Sequence, residues 1–438
     1  MNALCILIAI SSICSATKVN VMMPLDTVAN NGKLNETAVR SFGILKNAGV
    51  YGVMVDVWWG ICEPSPKRYN FGGYQRLADL CQQAGLKLQC VMSFHQCGGN
   101  VGDNVYIPIP EWVRNVNDIW YRDVHGHDDK EVVGLFVDND PVLQGRTPVQ
   151  VYTDYMNAFK QSMGNRIGTV INEIQVGLGP CGELRYPGYQ SDRWSFPGVG
   201  EFQAFAPKMK QMFQNASKAA NHPEWDSPPT DAGSYNSRPD DTSFFRANSG
   251  GYQTEYGKFF MNWYSNLLIE HARKILTPAV SIFRSSNCAV AMKVAGIHWW
   301  YGHASHASEM TTGYVNGNGI SGSDFYKRVA SLLRELGVIF DFTCFEMSNN
   351  EQPSDSRCQP EDLVNQVIQA TRQSGVTMSS ENALERYDST AYNRVIQNTC
   401  NKGGKVEAFT YLRLNDKLVY NQNNLNEFKR LVSSIANC

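Results

Sequence analysis

Eight short runs of apolar residues recur along the chain, with helical patterns between them. They are Val19–Leu25, Gly52–Trp58, Leu86–Phe94, Val170–Val176, Ala289–Ala295, Ile339–Met347, Val376–Ser380 and Ala408–Leu414. Most are nearly continuous in Val, Ile, Met and Phe, as expected of strands covered on both faces in a parallel sheet. Asn35 is placed to cap a helix carrying Val39, Phe42 and Leu45, with Gly49 after it. Tyr74, Leu77, Leu80 and Cys81 share a face that ends at Gly85. Phe325, Val329, Leu332, Leu333 and Leu336 form another, closed by Gly337, and Leu363, Val364, Val367 and Ile368 a third, with Gly375 beyond. Glycine just past a last turn is a stop signal, because it enters the left-handed conformation at no steric cost. Strand and helix alternating through eight units predict an α/β fold, the closed (β/α)8 TIM barrel.

Two connections are too long for simple barrel loops: about 97–169 after the third strand and about 184–287 after the fourth. Both contain helical patterns of their own, Val151–Met163 and Tyr256–Leu276, while 224–254 is rich in Pro, Ser, Asp and Gly and reads as a loop. Strand-to-helix connections emerge at the C-terminal face of such a barrel. Both insertions are therefore expected to build a smaller lobe around one cleft on that face. The expected organisation is one catalytic domain over 17–438, without internal repeats.

Composition narrows the function. An apolar fraction of 43% supports a sizeable core and excludes a disordered chain. With 39 basic against 41 acidic residues and no run of like charge, nothing points to nucleic acid or an anionic membrane as partner. A neutral substrate is expected. Met1–Ala16 is apolar and ends in small residues, which predicts a signal peptide over 1–16 and a secreted or luminal protein, although no Lys or Arg precedes the apolar stretch. No later run is long enough to span a bilayer. Of twelve cysteines, Cys5 and Cys14 would leave with that peptide, and Cys90 and Cys344 fall inside strand-like runs as buried thiols. Some pairing among Cys62, Cys81, Cys288, Cys358, Cys400 and Cys438 is expected in an oxidising compartment, with the connectivity open. The sequons Asn35-Glu36-Thr37 and Asn215-Ala216-Ser217 agree with secretion.

The candidate chemistry gathers at the predicted strand ends. Glu183 and Glu381 each sit just past an apolar run, half a barrel apart. Two carboxyls at barrel strand ends are the usual equipment for cutting a glycosidic bond: one protonates the leaving oxygen while the other activates water. Asn382 ends the same strand as Glu381, and Asp56, His95, Lys293, His298, Thr343 and Arg413 lie at or near corresponding ends of other strands. A charged residue within a parallel strand costs several kcal/mol unless it faces a polar site, on the order of 2–7 for a buried polar group. Their convergence argues for a site rather than packing. Gly98-Gly99-Asn100-Val101-Gly102-Asp103 lacks the Lys-Ser/Thr ending of a phosphate loop and suits a lid that brings Asp103 into the site, against the plainer reading of an ordinary turn. His125-Gly126-His127-Asp128-Asp129, and His303 with His306, carry metal-ligand types. The first group lies inside an insertion rather than at a strand end, so a polar surface turn is expected, with no metal and no cofactor.

Several of these segments are long enough to be recognisable. Val55-Asp56-Val57-Trp58-Trp59-Gly60, Met92 through Asp103, Gly177-Leu178-Gly179-Pro180 with Gly182 through Pro187, and Gly296-Ile297-His298-Trp299-Trp300-Tyr301 resemble the β-amylase family. So do Phe342-Thr343-Cys344 with Glu346-Met347, Glu381-Asn382-Ala383-Leu384 with Arg386-Tyr387-Asp388, and Thr410 through Leu414. The resemblance runs in order from about Val19 to the C-terminus. It implies an exo-acting, inverting α-1,4-glucan hydrolase that releases β-maltose from non-reducing ends of starch, glycogen or dextrins. The sequence itself shows no separate starch-binding domain, and a monomer is expected although the sequence does not set the oligomeric state. Glu183 would be the general acid and Glu381 the general base. By the same resemblance Thr343 helps to hold base and product, and Asp56, His95, Lys293, His298, Asn382 and Arg413 bond glucose hydroxyls. Trp58, Trp299, Tyr189 and Leu384 would offer apolar faces to the rings, while Trp300 is expected in the core. The chain departs from the pattern at Gln175, where plant members usually carry Glu, at Glu385, usually Pro, and at Cys181, usually a small residue. The Gln175 departure bears on the pH optimum.

Two other readings compete. A non-hydrolytic glucan-binding or sensing protein on the same barrel would be favoured by loss of either glutamate or of the lid, and both are present. A retaining glycosidase would bring the two carboxyls to about 5–5.5 Å, against about 6.5–9.5 Å for an inverting pair that admits a water.

Overall fold

The computed structural model describes residues 16–316, 324–400 and 406–438. The expected signal peptide, with Cys5 and Cys14, lies outside them apart from Ala16.

Among the described residues, eight of ten strands close a parallel barrel. In chain order the ten are β1 (Lys18–Met22), β2 (Gly52–Trp58), β3 (Lys87–Ser93), β4 (Trp120–Arg122), β5 (Asp128–Val133), β6 (Ile171–Val176), β7 (Ala289–Val294), β8 (Ile339–Phe342), β9 (Met378–Glu381) and β10 (Val406–Tyr411). Around the barrel the order is β1-β10-β9-β8-β7-β6-β3-β2, and β4 and β5 form a separate antiparallel pair. Each apolar run of the sequence supplies one barrel strand, because a strand sandwiched between lumen and helices has no face for water. Val21, Val53, Val57, Leu88, Ile174, Val176 and Phe340 are fully buried.

The glycine stops fall as expected. Gly85, Gly337 and Gly375 end helices Gly72–Ala84, Phe325–Leu336 and Pro360–Ser374 in the left-handed conformation. The first connection differs: Asn35 caps only a 3-10 turn, Glu36–Val39, and a short α-helix, Phe42–Asn47, follows. Gly43 in its first turn adds little helical preference. The insertion after β3 holds the β4–β5 hairpin and a helix, Pro148–Met163, started by a Thr147–Gln150 capping box. The insertion after β6 holds a 29-residue helix, Glu255–Phe283, capped by Thr254. Among the described residues no helix is long and apolar enough to cross a membrane.

The sixth barrel strand, β8, ends where the site begins. The predicted run Ile339–Met347 is a strand only to Phe342, since Cys344 takes a positive φ of 62° and turns the chain. That turn carries Glu346 under the loop that follows β9, where its carboxylate accepts the backbone N–H of Ala383 and of Leu384, at 3.0 and 2.7 Å. Burial pushes the Glu346 carboxyl up to about 7. Of the six cysteines expected to pair in some combination, Cys400 and Cys438 form a disulfide, and Cys62, Cys81, Cys288 and Cys358 are free thiols.

Candidate active site

A cavity of about 730 Å³ opens where the barrel strands end. Its walls include Glu183 and Glu381 with Asp56, His95, Asp103, Lys293, Thr343, Asn382 and Arg413. Trp58, Tyr189 and Leu384 also line it. His298 does not. Its ring lies 5.6 Å from Trp299 and 6.3 Å from Phe196, in an aromatic cluster beside the cavity. Trp300 is buried.

Glu183 is held by a folded-back turn. Cys181 and Gly182 both take positive φ, so the chain reverses after β6 and Glu183 forms a parallel bridge with Lys293 of β7. Gly179 permits the close return: a Cβ there would stand 2.5 Å from the Arg185 carbonyl oxygen and 2.6 Å from that of Glu183. Arg185, buried at 2% exposure, donates from Nε to Glu183 Oε2 at 2.7 Å and from Nη2 to Asn100 Oδ1 at 3.0 Å. Its guanidinium also lies 4.2 Å from the Tyr189 ring centroid. One carboxyl oxygen of Glu183 is thereby fixed by a planar donor that cannot lose its charge.

Glu381 ends β9 and is 1% exposed. Lys293 Nζ lies 2.8 Å from Glu381 Oε2, and Oε1 has no protein partner. Burial and the Asp341 carboxylate push the Glu381 carboxyl well up, against the Lys293 ammonium, which holds it down. Glu381 and Asp341 in turn hold Lys293 protonated against burial. The pair is an ammonium and a carboxyl, both largely buried at the wall of the cavity, with the Asp341 carboxylate behind.

Asp103 is tethered within its own loop. Its Oδ2 accepts the backbone N–H groups of Gly98, Gly99 and Asn100 at 2.8, 3.1 and 3.0 Å. The loop is pinned at its base by the Cys97–Ile107 bridge and at its tip by Ser191, whose N–H and hydroxyl both donate to the Gly99 carbonyl. Val101 at its crest is exposed. Burial pushes the His95 imidazole down to about 3, so it meets a ligand neutral. Burial likewise lowers His298, to about 4.

The remaining expected residues are partly occupied by the protein itself. Asp56 accepts the Ser93 hydroxyl at 2.7 Å, and Thr343 Oγ1 accepts the Gly296 N–H at 2.7 Å. Asn382 spends its amide on the carbonyls of Leu384 and Leu412 and on the Leu412 N–H, and Arg413 donates to the Met23 carbonyl at 2.7 Å. Gln175 does not lie beside the acid. It donates to Asp341 Oδ2 at 2.6 Å, on the side of the base. Glu385 lines the cavity mouth and accepts the Tyr387 hydroxyl. His125 and His127 flank the turn between β4 and β5, against Glu201 and Asp123, away from the strand ends. Sequence reasoning missed Arg185, Asn100 and Asp341. Asp341 had a signal, a carboxylate inside an apolar run.

The arrangement suits acid–base cleavage of a neutral polymer: two carboxyls on one cavity, each oriented by its own cation, under a glycine-rich loop. Comparisons with known proteins agree. The model of glycosyl hydrolase family 14 matches residues 20–438. Beta-amylase 1, chloroplastic, of Oryza sativa subsp. japonica is 47% identical over 95% of this chain and 80% of its own length. Beta-amylase 1, chloroplastic, of Arabidopsis thaliana is 46% identical over 95% of this chain and 75% of its own length. The crystal structure of the catalytic domain of beta-amylase from Paenibacillus polymyxa superimposes with a TM-score of 0.79 at 28% identity, covering 96% of this chain and 99% of that one. The two plant names overturn the expectation of a secreted or luminal protein. Relatives this similar are named chloroplastic, and the apolar Met1–Ala16, with no basic residue before it, is a poor warrant against them.

Proposed function

Since this chain belongs to glycosyl hydrolase family 14 and, with the β-amylases, hydrolyses α-1,4-glucan to release maltose, we propose that Glu183 is the general acid and Glu381 the general base of that hydrolysis. What supports two catalytic carboxyls is that Glu183 and Glu381 line one cavity, each beside a cation, Arg185 and Lys293, and the division into acid and base follows the resemblance of their motifs to the family. Glu381 draws a proton from water as the water oxygen bonds the anomeric carbon. The glycosidic bond breaks toward its oxygen, which takes the proton of Glu183. Attack from the face opposite the leaving group inverts the anomeric carbon, so the product is β-maltose. An upward push on the base carboxyl serves this step, because a general base works best when its pKa approaches the working pH.

Arg185 has a second part to play: once Glu183 has given up its proton, the guanidinium stabilises the carboxylate left behind. Asp56, His95, Lys293, Thr343, Asn382 and Arg413 bond the sugar hydroxyls near the broken bond, and His298 meets a unit farther out. Trp58, Tyr189 and Leu384 offer apolar surface to the pyranose faces, with Trp299 beside His298. Asp103 enters the site as the 98–103 loop closes over the non-reducing end, which limits each cut to a short product. The substrate is a storage glucan or dextrin, no metal or cofactor takes part, and the enzyme works as a monomer. Its plant relatives support a plastid location.

The test is NMR of the anomeric proton during digestion of maltopentaose by the protein and by Glu183→Gln and Glu381→Gln. Early β-maltose, absent with both variants, is expected. Early α-maltose would overturn inversion, and cleavage by either variant would overturn that residue's role.

A further inference from the structure

The glycine-rich loop and Glu183 meet through one side-chain amide. Asn100 of that loop is buried and lines the cavity. Its Oδ1 accepts Nη2 of Arg185 at 3.0 Å, and Nε of Arg185 donates to Glu183 Oε2 at 2.7 Å. At its other end, Asn100 Nδ2 donates at 2.5 Å to Oε1 of Glu131, which lies on β5 of the hairpin in the same insertion. A side-chain amide has a donor end and an acceptor end, whereas a guanidinium only donates. Asn100 can therefore serve Arg185 in one orientation alone, with its NH2 turned to Glu131. Turned over, it would set that NH2 against the guanidinium and leave Nη2 without its acceptor.

Glu131 is placed to hold this orientation. It is buried, and its backbone is built into the base of the loop: its carbonyl accepts the Gln96 N–H at 2.7 Å, and Asp129 Oδ1 holds its own N–H at 2.9 Å. Oε2 is buried without a protein partner and lies toward the loop, since a Cβ on Gly99 would stand 4.0 Å from it. Burial, and after it the Asp129 carboxylate, push the Glu131 carboxyl up. A proton carried on Oε2 leaves Oε1 as an acceptor, so acid and carboxylate bond Asn100 alike. Asp129 does not compete for Asn100, because its oxygens meet the Glu131 N–H and the Gln190 amide. Glu131 is not part of the cavity wall and so meets no sugar there.

We propose that Glu131 is a positioning residue for the acid that acts through the lid: it fixes the Asn100 amide so that the seated loop offers Arg185 an acceptor, and Arg185 in turn fixes Glu183. Seating of the loop and alignment of the proton donor then become one event. With the loop lifted, Arg185 keeps its bond to Glu183 and its stack on Tyr189 but loses the acceptor on Nη2, so the fork is held on one side only. Closure over the chain end restores the second hold, and the acid is aligned once the site is covered. This inference rests on the assignment of Glu183 as the acid.

The experiment measures kcat and KM on maltopentaose for the protein, Glu131→Leu, Glu131→Gln and Arg185→Lys, and for the double variant Glu131→Leu/Arg185→Lys. Leucine fills the place of the carboxyl without accepting the amide. Its kcat is expected to fall about tenfold while KM stays within about threefold of the parent. Glutamine keeps an acceptor and should return kcat to within about threefold of the parent. Because Glu131 acts through Arg185, its effect should vanish once the fork is gone: Glu131→Leu should change the kcat of Arg185→Lys by less than about twofold. Losses that multiply would overturn the proposal. So would parental kcat in Glu131→Leu, or a Glu131→Gln protein as impaired as Glu131→Leu. Should Glu131→Leu not fold, Asn100→Ala takes the same acceptor from the loop itself, and its cycle with Arg185→Lys is decided by the same criterion. Glu183→Gln keeps the two claims apart. Cleavage by that variant would sink the acid assignment, whereas an inactive Glu183→Gln beside multiplying losses would sink only the role of Glu131.

Discussion

Lys293 Nζ lies 2.8 Å from Oε2 of Glu381, both side chains are almost wholly buried, and the two residues come from barrel strands separated by a third. The ammonium is what opposes burial and Asp341 in setting the charge of this carboxyl. Lys293→Met keeps the volume and removes that opposition, so Glu381 should hold its proton to higher pH. The acidic limb of the kcat/KM profile is expected to move upward, and activity at the parent optimum to fall at least about a hundredfold. An unshifted limb with a modest loss would show that Lys293 serves only as a sugar ligand.

Arg185 tests the other half of the cavity. Its planar fork reaches Glu183 with Nε and Asn100 with Nη2 while it packs on Tyr189. Lysine keeps the charge and loses the fork. Arg185→Lys should lower kcat by about a hundredfold through misplacement of Glu183, on the scale of a 1 Å error in a reacting group. KM should change far less. Steady-state kinetics beside a melting curve would decide it, and a kcat within a factor of about two of the parent would remove Arg185 from the positioning of Glu183.

Much of this site was legible in the sequence, for physical reasons that differ by residue. The eight apolar runs could be read because strands buried on both faces accept little beyond Val, Ile, Met and Phe. The ends of those runs then pointed to Glu183, Glu381 and Lys293. The β4–β5 hairpin stayed hidden, since Arg122, Asp128, Asp129, Lys130 and Glu131 break any apolar pattern there. What could not be read is which side chains face each other across strands. Asp341 stood in a predicted strand, but its place beneath Glu381 depends on the register of β7, β8 and β9. Gln175 is near enough to Glu183 in sequence to suggest a role beside the acid, yet the strand carries it toward Asp341. His298 follows β7 closely, and the chain then bends away and leaves it beside Phe196 instead of on the cavity wall.

Asp103 ties three backbone N–H groups of its own loop, so charge and loop geometry can be separated there. Asp103→Asn retains an acceptor oxygen for those amides, whereas Asp103→Ala leaves all three to water. Hydrogen exchange at Gly98, Gly99 and Asn100 is expected to quicken at least about tenfold in the alanine variant and much less in the asparagine variant, in line with loss of about 1.5 kcal/mol or more of local protection. If Asp103 also meets sugar, both variants should lose kcat/KM. Equal exchange in all three proteins would show that the tether does not hold the loop.

Glu173 gives a prediction for the fold rather than the reaction. It sits in the barrel lumen at 6% exposure, accepts the Gln89 amide at 3.0 Å, and is pushed up to about 8, first by burial and then by Asp341. A carboxyl raised from 4.5 to about 8 binds its proton in the folded protein while the unfolded chain has released it. Over that interval the native state holds more protons than the unfolded state, so stability falls as pH rises. Its contribution is intact below about pH 4.5 and is lost progressively toward pH 8. Glu173→Gln is neutral throughout, and the Gln89 amide can turn to meet it. The variant should therefore lose less of its Tm than the parent between pH 5 and pH 8, and should melt about 2–4 °C above the parent at pH 8. Glu346, pushed up to about 7, acts in the same direction, so some decline should persist in the variant. Melting temperatures that run parallel across this range would mean that Glu173 is ionised in the native barrel, with a partner for its charge other than the Gln89 amide.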